Sequence, residues 1–217
     1  GPASAIDLVF VVDIDVEGPF TDRIRATSFM RQFTRQFTIS QSDTRVGIIT
    51  YRADAQDTPG SQGAELNCFN IYSLTSFTNY WEFEAAIGKL PIRRSSTNIQ
   101  SAVRAARRTL REGGRSTVPK SVIILTDGIP ARDLSGLIEE ASYLKIEATV
   151  AVIGVQHNEN MEQFEQVATN KDLAVGFSYF YDWQVTHELS AMVQTILTRI
   201  NKVLAIPAPD VTPPTAP

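Results

Sequence analysis

One cysteine and two histidines are all that this 217-residue chain offers of those residues. Cys68 alone builds neither a disulfide framework nor a multi-cysteine zinc site, which leaves a buried thiol, the usual place of a free cysteine, or a pairing with a cysteine outside this sequence. His157 and His187 stand beside no nucleophile-elbow pattern, so a serine or cysteine hydrolase triad has no support. No window approaches the ~18 uninterrupted apolar residues that a membrane-spanning helix requires, and the chain does not open on a charged-then-apolar leader. Basic residues are also outnumbered. With 20 Lys and Arg against 24 Asp and Glu, a net charge of -4 and a pI near 5.3, a general nucleic-acid binder is disfavoured. No Gly-x-Gly-x-x-Gly follows the first apolar run, which removes a dinucleotide-binding fingerprint. Internal repeats and Asn-x-Ser/Thr glycosylation acceptors are missing as well.

What is present is an alternation. Ile6 to Asp13 is a continuous apolar run that stops at an acid, as a strand buried on both faces does. Between Thr21 and Phe37, Ala26, Phe29, Met30, Phe33 and Phe37 recur at three- and four-residue spacing, which predicts an amphipathic helix. Val46 to Tyr51 reads as a second buried strand, and Glu65 to Leu74 as an edge strand beyond a Pro/Gly loop over Ala53 to Gly63. Helices are expected over Asn79 to Lys89, Ile99 to Arg111, Leu134 to Leu144, Asn160 to Ala168 and Val185 to Val203. Strands are expected over Ser121 to Thr126, Ala148 to Val155 and Phe177 to Tyr181.

This pattern predicts an α/β fold: a doubly wound, mostly parallel sheet with one antiparallel edge strand and helices on both faces. Hydrophobic residues make up 43% of the chain, enough for one large core. A single domain is expected over residues 5–204, flanked by residues 1–4, whose Gly1-Pro2 resembles the remnant of a cleaved tag, and by a Pro-rich linker or tail over 205–217.

In such folds ligands bind beyond the carboxyl ends of the strands. Three oxygen-rich elements fall on that edge: Asp13-Ile-Asp15-Val-Glu17 after the first strand, Ser95-Ser96-Thr97-Asn98 before a helix, and Leu125-Thr126-Asp127-Gly128 after a central strand. Hard cations such as Mg²⁺ and Ca²⁺ take oxygen ligands. The order and spacing resemble the metal-ion-dependent adhesion site of the von Willebrand factor A family, with its Asp-x-Ser-x-Ser, its threonine and its Thr-Asp-Gly turn. Asp13, Thr97 and Asp127 occupy the first-aspartate, threonine and last-aspartate positions, and Arg45-Val-Gly-Ile-Ile and Ala151-Val-Ile-Gly-Val resemble two further strands of the fold.

The resemblance implies a non-enzymatic adhesion or binding module that holds one divalent cation, Mg²⁺ or Ca²⁺. It also implies a secreted, extracellular-matrix setting and a protein or matrix ligand, such as collagen or an acidic polysaccharide. Both family serines are replaced here, by Asp15 and Glu17. Four carboxylates, Asp13, Asp15, Glu17 and Asp127, then surround one ion position and demand a cation more strongly, while repelling an acidic ligand.

The helix from Ile99 carries Arg104, Arg107, Arg108 and Arg111 on its outer face, flanked by Arg93, Arg94 and Arg115. Such a stripe suits an anionic partner, and it supplies an alternative reading: a structural matrix domain with a vestigial metal site, binding through arginines. Tyr179, Phe180, Tyr181 and Trp183 read as core and rim of the last strand. The Asp13-x-Asp15 pair also resembles the nucleophile motif of haloacid-dehalogenase-like phosphatases. The acidic pair that family needs after its later strand is replaced here by Gln156-His-Asn-Glu-Asn.

Overall fold

The computed structural model describes residues 5–13, 20–51, 69–90, 99–129, 131–154, 161–176 and 185–204. Strands β1 (Asp7–Asp13), β2 (Arg45–Tyr51), β3 (Phe69–Tyr72), β4 (Lys120–Thr126), β5 (Thr149–Gly154) and β6 (Ala174–Gly176) form one sheet in the order β3-β2-β1-β4-β5-β6. All pairings are parallel except that of β3 with β2. The helices are α1 (Phe20–Thr34), α2 (Tyr80–Gly88), α3 (Ile99–Gly113), α4 (Ala131–Glu147), α5 (Met161–Val167) and α6 (Val185–Leu204), with a short 3-10 turn at Lys171–Leu173.

Every residue of β1 and β5 is buried, as is every residue of β4 after Lys120. Helices therefore cover both faces of the central sheet, which is why these strands read as unbroken apolar runs. On one face Phe10 meets Phe33 of α1 edge-on at 6.2 Å and lies 6.3 Å from Phe83 of α2. Phe33 also stacks on Phe29 at 5.7 Å, so the predicted stripe of α1 is the core of this layer. Against β1 and β2 on the other face lies α3, with Ile99, Val103, Ala106 and Leu110 buried as their spacing predicts. Gly47 of β2 permits this approach: a Cβ there would sit 2.8 Å from the Tyr72 carbonyl oxygen and 3.3 Å from Thr109 Cγ2.

Asn79 caps α2 by accepting the Glu82 amide at 3.0 Å. The last described strand, β6, is Ala174–Gly176, paired with Val152–Gly154; the strand expected over 177–181 lies outside the described residues. Gly176 is the last residue of β6. In the fold it stands opposite Gly154, where an added Cβ would lie 3.3 Å from Met161 Sδ of α5, so a small residue belongs within the pairing. Cys68, His157 and the aromatic group Tyr179 to Trp183 also fall outside the described residues, as do residues 1–4 and 205–217.

Candidate metal centre

The strand order reverses direction between β1 and β4, the topological switch point at which open α/β sheets place their ligands. Asp13 ends β1 and pairs in register with Thr126, which ends β4. Two of the three oxygen-rich elements, more than a hundred residues apart in sequence, are thus adjacent across one pair of strands.

Asp13 is fully buried, and its Oδ2 accepts a hydrogen bond from Thr126 Oγ1 at 2.8 Å. A buried carboxylate requires such bonds, because desolvation without them costs several kcal/mol. The Asp127 amide donates to the Asp13 carbonyl at 3.2 Å, continuing the ladder one residue past the strand. Thr126 Oγ1 also accepts from the Gly128 amide at 3.2 Å, shaping the turn that carries Asp127. Gly128 has φ of 152°, a conformation that L side chains rarely adopt, which accounts for the glycine of the Thr-Asp-Gly sequence. Asp127 is half-buried.

The structure therefore brings Asp13 and Asp127 together at the carboxyl edge, while Asp15, Glu17 and Thr97 lie outside the described residues. Among the described residues no three Asp, Glu, His or Cys gather into a metal-holding group. The donors that are placed are carboxylates, a set suited to a hard divalent cation and unsuited to a soft one. Thr126 stands within the third oxygen-rich element of the sequence, but its bond to Asp13 was not foreseen there. The available signal was a threonine two residues before a glycine, the spacing at which a hydroxyl bonds its own turn.

The described arginines of the stripe have carboxylate neighbours. Arg104 lies 3.5 Å from Glu140 Oε2, and Arg107 pairs with Glu140 Oε1 at 2.7 Å while lying over the Tyr143 ring at 5.1 Å. Arg108 pairs with Glu112 at 2.7 Å, and Arg111 pairs with Glu147 at 2.6 Å. The hydrogen bond to Glu147 raises the Arg111 pKa further above its ordinary value. These four guanidinium groups face three carboxylates: Glu140, shared by Arg104 and Arg107, and Glu147 tie α3 to α4, while the Arg108–Glu112 pair lies within α3. Arg115 reaches elsewhere: its Nη2 lies 2.8 Å from Asp7 Oδ1 at the opposite edge of the sheet. Arg93 and Arg94 are outside the described residues. On the far side of α4, burial lowers the pKa of Lys145, whose Nζ donates to the carbonyls of Gln166 at 3.0 Å and Ala168 at 3.1 Å.

The sequence model of the von Willebrand factor type A domain matches residues 7–192, spanning β1 to α6. The chain belongs to this family. Among curated proteins, this von Willebrand factor type A domain is similar to cuticlin-6 of Caenorhabditis elegans, at 26% identity over 170 residues. That match covers 76% of this chain and 26% of the cuticlin, so the domain spans about a quarter of the relative's length. Among solved structures it is similar to proximal thread matrix protein 1 of the mussel byssus, whose MIDAS motif was solved occupied by zinc. The TM-score is 0.66 at 20% identity, with 88% of this chain and 46% of that one covered. The pilus adhesin SpaC of Lactobacillus rhamnosus GG, in its open conformation, matches with a TM-score of 0.65 at 14% identity, over 94% of this chain and 31% of that one. At these identities the solved structures establish the shared fold, the doubly wound sheet described above.

Proposed function

We propose that this domain is a non-enzymatic, cation-dependent binding module of an extracellular matrix-type protein. The observation that carries the reading is the junction at the switch point, where the buried Asp13 and the Asp127 turn meet through Thr126. Asp13 and Asp127 hold one divalent cation, Mg²⁺ or Ca²⁺, with Asp15, Glu17 and Thr97 as the further ligands supplied by the neighbouring loops. A bound cation supplies an electrophilic position for an acidic oxygen of the partner; the extra carboxylates strengthen retention of the ion and weaken capture of that acid.

The setting is supported by the likeness to a cuticlin, to a byssal thread matrix protein and to a pilus adhesin. It points to a secreted domain whose partner is a matrix protein such as collagen or an acidic polysaccharide. Docking through the arginine helix is the weaker reading, because the described arginines of that stripe already face carboxylates.

Calorimetric titration and thermal melts of metal-stripped protein with Mg²⁺, Ca²⁺ and Mn²⁺ test the reading. One cation per chain is expected, and a hundredfold excess over the dissociation constant stabilises the fold by about 2.7 kcal/mol. Asp127→Ala removes that increment. Melts that superimpose in EDTA and in millimolar cation would overturn the proposal.

A further inference from the structure

We propose that Thr126 is the positioning residue of this cation site, a single hydroxyl that sets the direction of Asp13 and the shape of the turn presenting Asp127. The inference rests on the cation-binding reading above and goes beyond its ligand set.

Thr126 is fully buried at the last position of β4, opposite Asp13 in the parallel ladder. Its Oγ1 lies 2.8 Å from Asp13 Oδ2, 3.0 Å from the Gly128 carbonyl oxygen and 3.2 Å from the Gly128 amide nitrogen. A hydroxyl has one proton to donate and lone pairs to accept with. The amide of Gly128 can only donate, so that contact fixes the hydroxyl as its acceptor. The one proton then goes to the carboxylate in preference to the carbonyl, since the contact is shorter and a bond to an ionised acceptor is the stronger.

The consequence is a relay of geometry rather than of protons. One oxygen is bonded both to the carboxylate at the end of β1 and to the backbone two residues beyond β4, with Asp127 lying between those anchor points. The Asp127 amide bond to the Asp13 carbonyl ties the same two segments a second time through the backbone. Removing the hydroxyl takes one bond from the Asp13 carboxylate and one from the turn, without removing any proposed metal ligand. Hydrogen bonds to ligating carboxylates have this character in metal sites generally, and their loss weakens metal binding about 10- to 100-fold.

The test compares the parent protein with Thr126→Val, which keeps the branched shape and loses the hydroxyl, and Thr126→Ser, which keeps the hydroxyl. Mg²⁺ and Mn²⁺ affinities are measured by calorimetry, and melting temperatures are recorded in EDTA and in saturating cation. Thr126→Val is expected to bind about 10- to 100-fold more weakly, and Thr126→Ser close to the parent. The rise in melting temperature on adding a fixed cation concentration should shrink in Thr126→Val and be restored in Thr126→Ser.

A merely structural threonine would lower the EDTA melting temperature and leave the cation-induced rise intact, which would overturn the inference. Equal affinity of parent and Thr126→Val would do the same while leaving the cation site standing. A parent that binds neither cation would overturn the proposed function and this inference with it. Should Thr126→Val fail to fold, Thr126→Cys, with a thiol as its weak donor, takes its place and is held to the same comparison.

Discussion

The two ends of β1 each bury an acid completely, and they treat it differently. At the amino end, Asp7 Oδ1 receives Nε and Nη2 of Arg115 at 3.0 and 2.8 Å, while Oδ2 accepts the Arg115 amide at 2.6 Å. The same guanidinium donates to the Ser42 carbonyl at 3.0 Å and to the carbonyl of Asp43, so it ties β1 to the loop that enters β2. At the carboxyl end, Asp13 Oδ2 accepts a bond from a neutral hydroxyl, that of Thr126. A guanidinium brings a charge that cancels a carboxylate's; a hydroxyl bonds the carboxylate without bringing a charge of its own. The first arrangement suits a permanent clasp, and the second suits an ion that arrives from solution.

The largest expected effect lies at the clasp. Arg115→Met keeps an apolar stem but leaves Asp7 buried opposite no guanidinium, and it should cost about 3–5 kcal/mol in urea unfolding. The loss should be equal in EDTA and in cation, since nothing at that end exchanges an ion. A loss that depended on cation would break the distinction between the two ends. Next comes Asp127→Ala, for which the measured quantity is the cation-induced increment itself, about 2.7 kcal/mol at a hundredfold excess, expected to vanish.

Ion choice sharpens the comparison further. With Asp15 and Glu17 standing where the family pattern has serines, Ca²⁺ should bind at least as tightly as Mg²⁺, because the larger ion accommodates more anionic oxygens. Competition calorimetry with Mg²⁺ strongly preferred would remove the role given to those two acids. The smallest effect is expected on the outer helix: Arg108 and Glu112 are more than half exposed, so Arg108→Ala should change stability by no more than about 0.5 kcal/mol. Retention of the parent on heparin should be weak, and little altered when Arg104, Arg108 and Arg111 are replaced by Ser. Strong, salt-sensitive retention that the triple replacement abolishes would restore the arginine stripe as a docking face.

Much of the fold was legible because its signals are local. The runs Leu8 to Val12, Val122 to Leu125 and Val150 to Ile153 are buried throughout, and burial on two faces leaves an unbroken apolar string in sequence. The α1 stripe was legible for a similar reason, since one buried helix face imposes its own period. Strand β6 over Ala174–Gly176 was not foreseen because these three residues carry almost no periodic signal, and their partner strand is what makes them a strand.

The arginines show where sequence reading stops. Their spacing along α3 was correct, with Arg104, Arg108 and Arg111 exposed and Ile99, Val103, Ala106 and Leu110 buried. The partners of Arg104 and Arg111 were not visible, because Glu140 and Glu147 belong to α4 and become neighbours only when two helices pack. Arg115 is the same case over a greater distance, 108 residues from Asp7.

By itself, then, the sequence determined the alternation of strands and helices, the acids that end β1 and follow β4, and the glycine that their turn requires. Each of these is a local property: a run, a period, or a residue type at a backbone position that tolerates little else. The strand order decided the rest. By making β1 and β4 neighbours it set Asp13 against Thr126 and closed Asp7 with Arg115, giving two similar buried acids different surroundings. A side chain's charge balance belongs to the groups packed around it, and only the folded chain chooses those.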